Sequence, residues 1–175
     1  MTAQLTFSRA DMTDLTTLVG LYEGAARWML DHGIDQWKPG AKDERHFRRL
    51  IESPSEEVWL VGDGAGALGA YELWWSDEQA WGVQPPVAGY VHRLMTRRGA
   101  PARTGRALLR DAERRIAAAG RALSRLDVVV SNPRLRAYYE EDGYAVVGEL
   151  GDKRAADGSP YGVLLMERPL GPGVC

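Results

Sequence analysis

Hydrophobic and polar positions along the chain follow two rhythms, and the switches between them divide it into elements. "QLTFSR" alternates with period two, as a short strand does. "ADMTDLTTLVGLYEGAARWMLDHG" then places Leu15, Leu18, Tyr22, Ala25, Ala26 and Met29 at helical spacing, with Gly33 as the stop. "IDQWKPGAKD" loses the period at its Pro-Gly and reads as a loop, and "ERHFRRLIES" is a second helix closed by Ser53-Pro54. "EVWLVGD" and "GALGAYELWW" form a hairpin around the turn "GAG", and "AGYVHRLMT" is the next strand after a loop bearing tryptophan and proline.

From Thr104 to Ala119 the pattern becomes helical again. Leu108, Ala112, Ile116 and Ala119 share one face, arginines and acids the other, and Gly120 ends the run. "LSRLDVVVS" reads as a strand buried on both faces on the strength of Val128, Val129 and Val130. The helix "NPRLRAYYEED" stops at Gly143, and the strands "YAVVGEL" and "YGVLLMERP" flank the polar loop "GDKRAADGSP". The order βααββ followed by βαβαββ predicts one α/β domain over residues 1–175, without repeats or linkers.

Composition narrows the picture. With 45% hydrophobic and 26% charged residues in 175, the chain has the make-up of a soluble globular domain, and no apolar run reaches membrane-spanning length. The first residues carry no basic region followed by an apolar stretch, so a cytoplasmic location is expected. The single cysteine, Cys175, has no partner for a disulfide, and three scattered histidines give no ligand spacing, so no metal is expected. A net charge of −2 gives no overall attraction to nucleic acid, yet nine of the nineteen arginines lie between Arg97 and Arg125. That cluster lacks interleaved aromatics for base stacking and suits a local anionic ligand instead.

Three motifs in this order, "YVHRLMTRR", "RTGRALL" and "SNPRLRAYYEEDGY", resemble those of the GNAT superfamily of acetyl-CoA-dependent N-acetyltransferases. The third is the most specific, with Asn132, Ala137, Tyr139, Gly143 and Tyr144 at the family's Asn, small residue, Tyr, Gly and aromatic. The resemblance covers essentially the whole chain in element order. It implies a mixed, mostly antiparallel central sheet of about seven strands, splayed in the middle and flanked by about four helices, and it is compatible with a homodimer. It implies acetyl-CoA as co-substrate, with backbone groups around Leu94, Met95 and Thr96 pairing with the pantetheine arm. Arg98, Ala102, Arg103, Thr104, Gly105 and Arg106 would surround the pyrophosphate, and Asn132 and Arg136 would also contact the cofactor. The family's loop pattern (Gln/Arg, two residues, Gly, one residue, Gly/Ala) falls on Ala100, Arg103 and Gly105, of which the last alone matches. Arg103 gives up glycine's backbone freedom and adds a guanidinium that can bind phosphate.

The same resemblance makes Tyr139 the residue that protonates or hydrogen-bonds the departing thiolate. For the base that frees the amine, His92 has the right ordinary pKa and resembles the histidine of arylalkylamine N-acetyltransferases. Whether His92 or Arg93 faces the acceptor depends on whether the strand carries a bulge. Glu72, acting through a water, is the alternative base. By the same resemblance Trp28, Trp37, Trp74, Trp75 and Trp81 fall in segments that surround the family's acceptor pocket, with Trp28, Trp37 and Trp75 as the candidate acceptor contacts, and Trp37 with Asp35 could hold a cation by its ring face and a carboxylate. The expected acceptor is a small primary amine, cationic or aromatic, acetylated by direct attack in a ternary complex. The competing functions are a non-catalytic acyl-CoA-binding or sensing module and a protein lysine or N-terminal acetyltransferase.

Overall fold

The computed structural model describes residues 4–155 and 157–171; Cys175 lies outside them. Seven strands run in the order β1-β2-β3-β4-β5-β7-β6: β1 (Thr6–Arg9), β2 (Glu56–Gly62), β3 (Ala67–Trp74), β4 (Ala88–Thr96), β5 (Leu123–Val129), β6 (Ala145–Arg154) and β7 (Pro160–Pro169). The helices are α1 (Leu15–Asp31), α2 (Glu44–Glu52), α3 (Glu78–Trp81), α4 (Thr104–Ala118) and α5 (Pro133–Glu141). The sheet is mixed. The pairs β1–β2, β2–β3, β5–β7 and β6–β7 are antiparallel, while β4 and β5 pair in parallel over Ala88–Leu123, Gly89–Ser124 and Tyr90–Arg125. No helix among the described residues is long and apolar enough to cross a membrane.

Contacts within the chain gather into two compact units, one of residues up to Trp74 with Val91–Ala112, the other of Trp75–Tyr90 with Glu113 onward. The core of the first unit follows from the helical stripe. Leu15, Leu18, Leu21, Tyr22 and Ala26 of α1 meet Phe47 and Leu50 of α2, Val58 and Leu60 of β2, Ala70 of β3 and Met95 of β4. Burying such side chains stabilises by about 1.5–3 kcal/mol each and fixes which face of α1 looks inward. Asp11 starts the element: its carboxylate accepts from the Thr13 amide at 2.7 Å, and a single 3₁₀ turn precedes α1. Asp43 caps α2 by accepting from the His46 amide at 3.2 Å.

Gly69 on β3 sets how closely β4 and α4 approach. A Cβ there would lie 2.5 Å from the Met95 carbonyl oxygen and 2.9 Å from Leu108 Cδ1. Gly69→Ala is therefore expected to cost about 1–3 kcal/mol, read as a lowered urea midpoint. An unchanged midpoint would show that β4 shifts freely.

In the second unit β5 is buried on both faces at Ser124, Arg125 and Leu126, but Val130 just past its end is exposed, so the expected burial through the valines stops short. Two elements differ from the sequence expectation. α3 forms inside the stretch read as a loop, capped by Asp77 accepting from the Ala80 amide at 3.3 Å and ended by Gly82 at φ +67°. The hairpin β6–β7 runs on through Asp152, Lys153 and Arg154, whose polar run hid it; register with β7 and an ion pair from Lys153 to Asp127 hold that end.

Candidate active site

In the first unit a fully buried carboxylate organises the chemistry. Glu72 sits on β3, and its Oε1 accepts from His46 Nε2 at 2.8 Å. Its Oε2 accepts from Arg93 at 2.6 Å and from the Trp74 indole N–H at 3.2 Å. Burial alone would raise its pKa, but the Arg93 guanidinium and the His46 hydrogen bond outweigh it and hold the carboxyl down at about 2. A group that ionises so readily takes up protons poorly at neutral pH. Glu72 thus anchors His46 and Arg93.

His46 went unnoticed in the sequence because it lies 26 residues from Glu72 on a different element, and only packing of α2 on the sheet joins them. Burial lowers its pKa more than Glu72 raises it, so the ring is neutral near pH 7. An ionised carboxylate only accepts, so Nε2 carries the proton and Nδ1 is the basic nitrogen.

The bulge question is answered at Arg93, whose φ of +43° breaks the alternation of β4. As a result two successive side chains reach the same tryptophan. His92 lies 4.0 Å from the Trp74 ring, centroid to centroid, and the Arg93 guanidinium sits 5.9 Å from it. Trp37 stacks on Tyr22 at 5.5 Å, and the Tyr22 hydroxyl donates to the Lys38 carbonyl at 3.0 Å. Asp35 is exposed and ion-paired with Lys38, so the carboxylate read as a partner for a cationic acceptor already has a cation. Trp28 stacks with His32 at 4.2 Å and lies under the Arg98 guanidinium at 5.0 Å, which ties it to the loop after β4. Trp75 belongs to the second unit, where Arg121 covers its ring at 4.9 Å.

That loop runs from Arg97, whose amide donates to the Leu68 carbonyl at 2.7 Å, to Thr104, whose hydroxyl donates to the Pro101 carbonyl at 2.7 Å. Leu94 and Thr96 are half-buried while the Met95 side chain is fully committed to the core, so any contact Met95 makes with a cofactor is through its backbone. Arg98 donates to both the carbonyl and the hydroxyl of Thr96, at 2.9 and 3.0 Å. Arg103 has φ +71°, the left-handed conformation that glycine adopts freely, so it keeps the glycine-like path of the turn into α4. Ala102 and Arg103 are exposed, Gly105 and Arg106 half-buried and Thr104 buried, all at the N-terminus of α4. Guanidinium groups beside a helix N-terminus form a donor set that fits a pyrophosphate.

In the second unit Asn132 caps α5, its side-chain oxygen accepting from the Leu135 amide at 3.2 Å, and Arg136 pairs with Glu140 at 2.8 Å on the exposed face. Tyr139 is buried between Tyr138 and Tyr144, at ring distances of 5.3 and 5.7 Å. Burial pushes its phenol well above the usual range, so it stays protonated at any physiological pH. Tyr144 bonds Ser124 at 2.7 Å and donates to Glu113 at 3.0 Å, and Arg168 clamps Glu113 with two contacts of 2.8 Å. These satisfied groups explain the motif's last aromatic as structural.

No family model and no curated protein match the chain. Solved structures do. A PaiA N-acetyltransferase from Thermoplasma acidophilum in complex with coenzyme A is similar at a TM-score of 0.69 and 16% identity, over 95% of this chain and 99% of its own. A variant of the spermidine N-acetyltransferase SpeG from Vibrio cholerae gives 0.68 at 19% identity, over 95% and 94%. A ribosomal-protein alanine N-acetyltransferase from Escherichia coli gives 0.64 at 16%, over 95% and 94%. The seven-stranded mixed sheet, its arginine-flanked loop into α4 and these likenesses over nearly the full chain establish that the protein has the GNAT acetyltransferase fold.

Proposed function

We propose that the protein is an acetyl-CoA-dependent N-acetyltransferase that acetylates a primary amine of a small acceptor by direct attack in a ternary complex. The observation that carries the reading is Arg103, which keeps a left-handed backbone at the turn into α4 while placing a guanidinium there. The likeness to a structure holding coenzyme A supports the same co-substrate. Leu94, Met95 and Thr96 would offer backbone groups to the pantetheine arm, and Arg98, Ala102, Arg103, Thr104, Gly105 and Arg106 would hold the pyrophosphate. Asn132 and Arg136, in the α5 motif, are the other two residues read as cofactor contacts.

His92, stacked against Trp74, takes the proton that the amine loses, and His46, whose ring burial keeps neutral, is the second imidazole of the first unit. The amine nitrogen bonds to the thioester carbonyl carbon, the carbon–sulfur bond breaks, and Tyr139 hydrogen-bonds the departing thiolate. Its raised pKa suits it to donating a hydrogen bond more than to surrendering the proton. Direct attack is favoured because the described residues contain no cysteine to accept the acetyl group and because orientation alone supplies a large part of such a barrier. The aromatic surface of Trp37 and Trp74 supports an acceptor with an apolar or aromatic body, whereas the pairing of Asp35 with Lys38 removes the reason to expect a cationic one. Likeness to an enzyme named for spermidine and to one named for a ribosomal protein keeps small and protein acceptors as arms of the test.

Calorimetric titration with acetyl-CoA should show saturable binding. Arg103→Ala loses the charge but keeps the strained φ, and is expected to bind about tenfold more weakly. Arg103→Gly relieves about 1–2 kcal/mol of backbone strain, so its melting temperature should rise even as affinity falls. Absence of binding by the parent protein would overturn the transferase reading. Binding without turnover on amines, amino acids or peptides would favour an acyl-CoA-binding module.

A further inference from the structure

Turning a primary alkylamine into an amide releases two protons. The amine keeps its extra proton up to about pH 10, so it arrives as an ammonium ion that cannot attack until one N–H proton is gone. The second proton leaves as the nitrogen bonds to the thioester carbon. The departing thiolate takes up one of the two, and the other has to reach water. His92 serves the proton lost in the attack; the earlier one needs a base in touch with solvent.

His46 has the required form. Its Nε2 donates to Glu72 Oε1 at 2.8 Å, and that fully buried carboxylate is itself fixed by Arg93 at 2.6 Å and the Trp74 indole at 3.2 Å. The ring is thus held in one tautomer, and an edge-on contact with Phe47 at 5.0 Å holds its plane. Nδ1 accepts no hydrogen bond from the described residues and is not sealed in the core, so water reaches it. With its side chain 11% exposed, His46 is neither closed off nor free to turn in solvent. The same carboxylate links it to the other imidazole, because Glu72 Oε2 holds Trp74, whose ring carries His92 at 4.0 Å. Both imidazoles are therefore tied to Trp74, the aromatic surface proposed for the acceptor. A carboxylate that fixes an imidazole's tautomer leaves the other nitrogen free to move protons. Resting on the acetyltransferase reading, we propose that His46 is a second catalytic base, positioned by Glu72, which takes the first proton of the incoming ammonium at Nδ1 and passes it to water. The ammonium N–H bond breaks, its electron pair stays on nitrogen for the attack, and the proton bonds to Nδ1 until water removes it.

The test compares phenethylamine with 2,2-difluoro-2-phenylethylamine, an amine of nearly the same shape whose fluorines draw electrons from nitrogen, so that far more of it is already neutral at pH 7. In His46→Gln the side-chain amide still donates to Glu72 but takes up no proton. The ratio of kcat/KM on the two amines should shift by about a hundredfold against phenethylamine, with acetyl-CoA affinity and melting temperature unchanged. His92→Gln should slow both amines alike, because each loses a proton in the attack. A second readout needs no acceptor: 15N imidazole spectra of the full chain at pH 7 should show His46 with the proton on Nε2, and Glu72→Gln, whose amide both donates and accepts, should populate both tautomers. Equal losses on the two amines in His46→Gln, a proton on Nδ1 of the parent, or turnover of neither amine by a protein that binds acetyl-CoA would each overturn the proposal and leave acetyl-CoA binding standing. Absence of acetyl-CoA binding would instead sink the transferase reading, and this one with it.

Discussion

Glu72→Ala is expected to destabilise the protein by about 3–5 kcal/mol, the usual cost of removing one partner from a buried ion pair. It strands the Arg93 charge, unseats His46 and leaves the Trp74 N–H without its acceptor. Glu72→Gln keeps the volume and separates charge from packing. In the native protein this carboxyl titrates at about 2 against an ordinary 4.5, so its contribution is complete above about pH 4.5 and disappears as pH falls through about 2. The difference amounts to about 3 kcal/mol by linkage. His46, with a lowered pKa, disfavours the native state in the same direction but from higher pH, as pH falls below its ordinary 6.5. Urea unfolding followed from pH 7 to pH 2 should therefore show a loss between pH 4.5 and 2 that is present in the parent and absent in Glu72→Gln. Identical acid profiles would mean that Arg93 and His46 do not hold the carboxyl down.

Tyr139→Phe is expected to lower kcat by about a hundredfold while leaving acetyl-CoA affinity and melting temperature unchanged. The stability half of this expectation comes from the structure. The Tyr139 hydroxyl makes no hydrogen bond among the described residues, and its ring is held by Tyr138 and Tyr144, which phenylalanine would equally satisfy. A fall in kcat could then not be ascribed to misfolding. An unchanged kcat with the preferred acceptor would remove Tyr139 from the reaction and leave proton delivery to solvent. The neighbouring Tyr144 offers the contrast, because Tyr144→Phe breaks a buried network with Ser124 and Glu113 and should lower stability first.

Much of the architecture was legible along the chain. The stripe of Leu15, Leu18 and Tyr22, the glycine stop at Gly33, the turn between β2 and β3, and the face of Leu108, Ala112 and Ile116 all lie where local periodicity placed them. These features are set by neighbours within a few residues, so the sequence states them directly. The short helix α3 and the polar end of the β6–β7 hairpin were not, because a side-chain cap and cross-strand pairing outweighed a composition that looked like loop.

Residue types also carried part of the chemistry: an arginine-rich turn before a helix, a tyrosine in the α5 motif, a histidine on the strand before the loop. Their states are another matter. That Arg103 keeps a glycine's conformation, that Arg93 breaks β4 so that both it and His92 reach Trp74, and that Asp35 is spent on Lys38 are outcomes of backbone path and pairing. His46, Glu72 and Arg93 come from three separate segments, and only the packed core brings them together. The sequence by itself determined the elements, their order and the residues able to do chemistry, since these depend on local spacing and composition. Tertiary structure alone decided which charges are already satisfied, because that balance depends on burial and on distances between segments far apart in the chain.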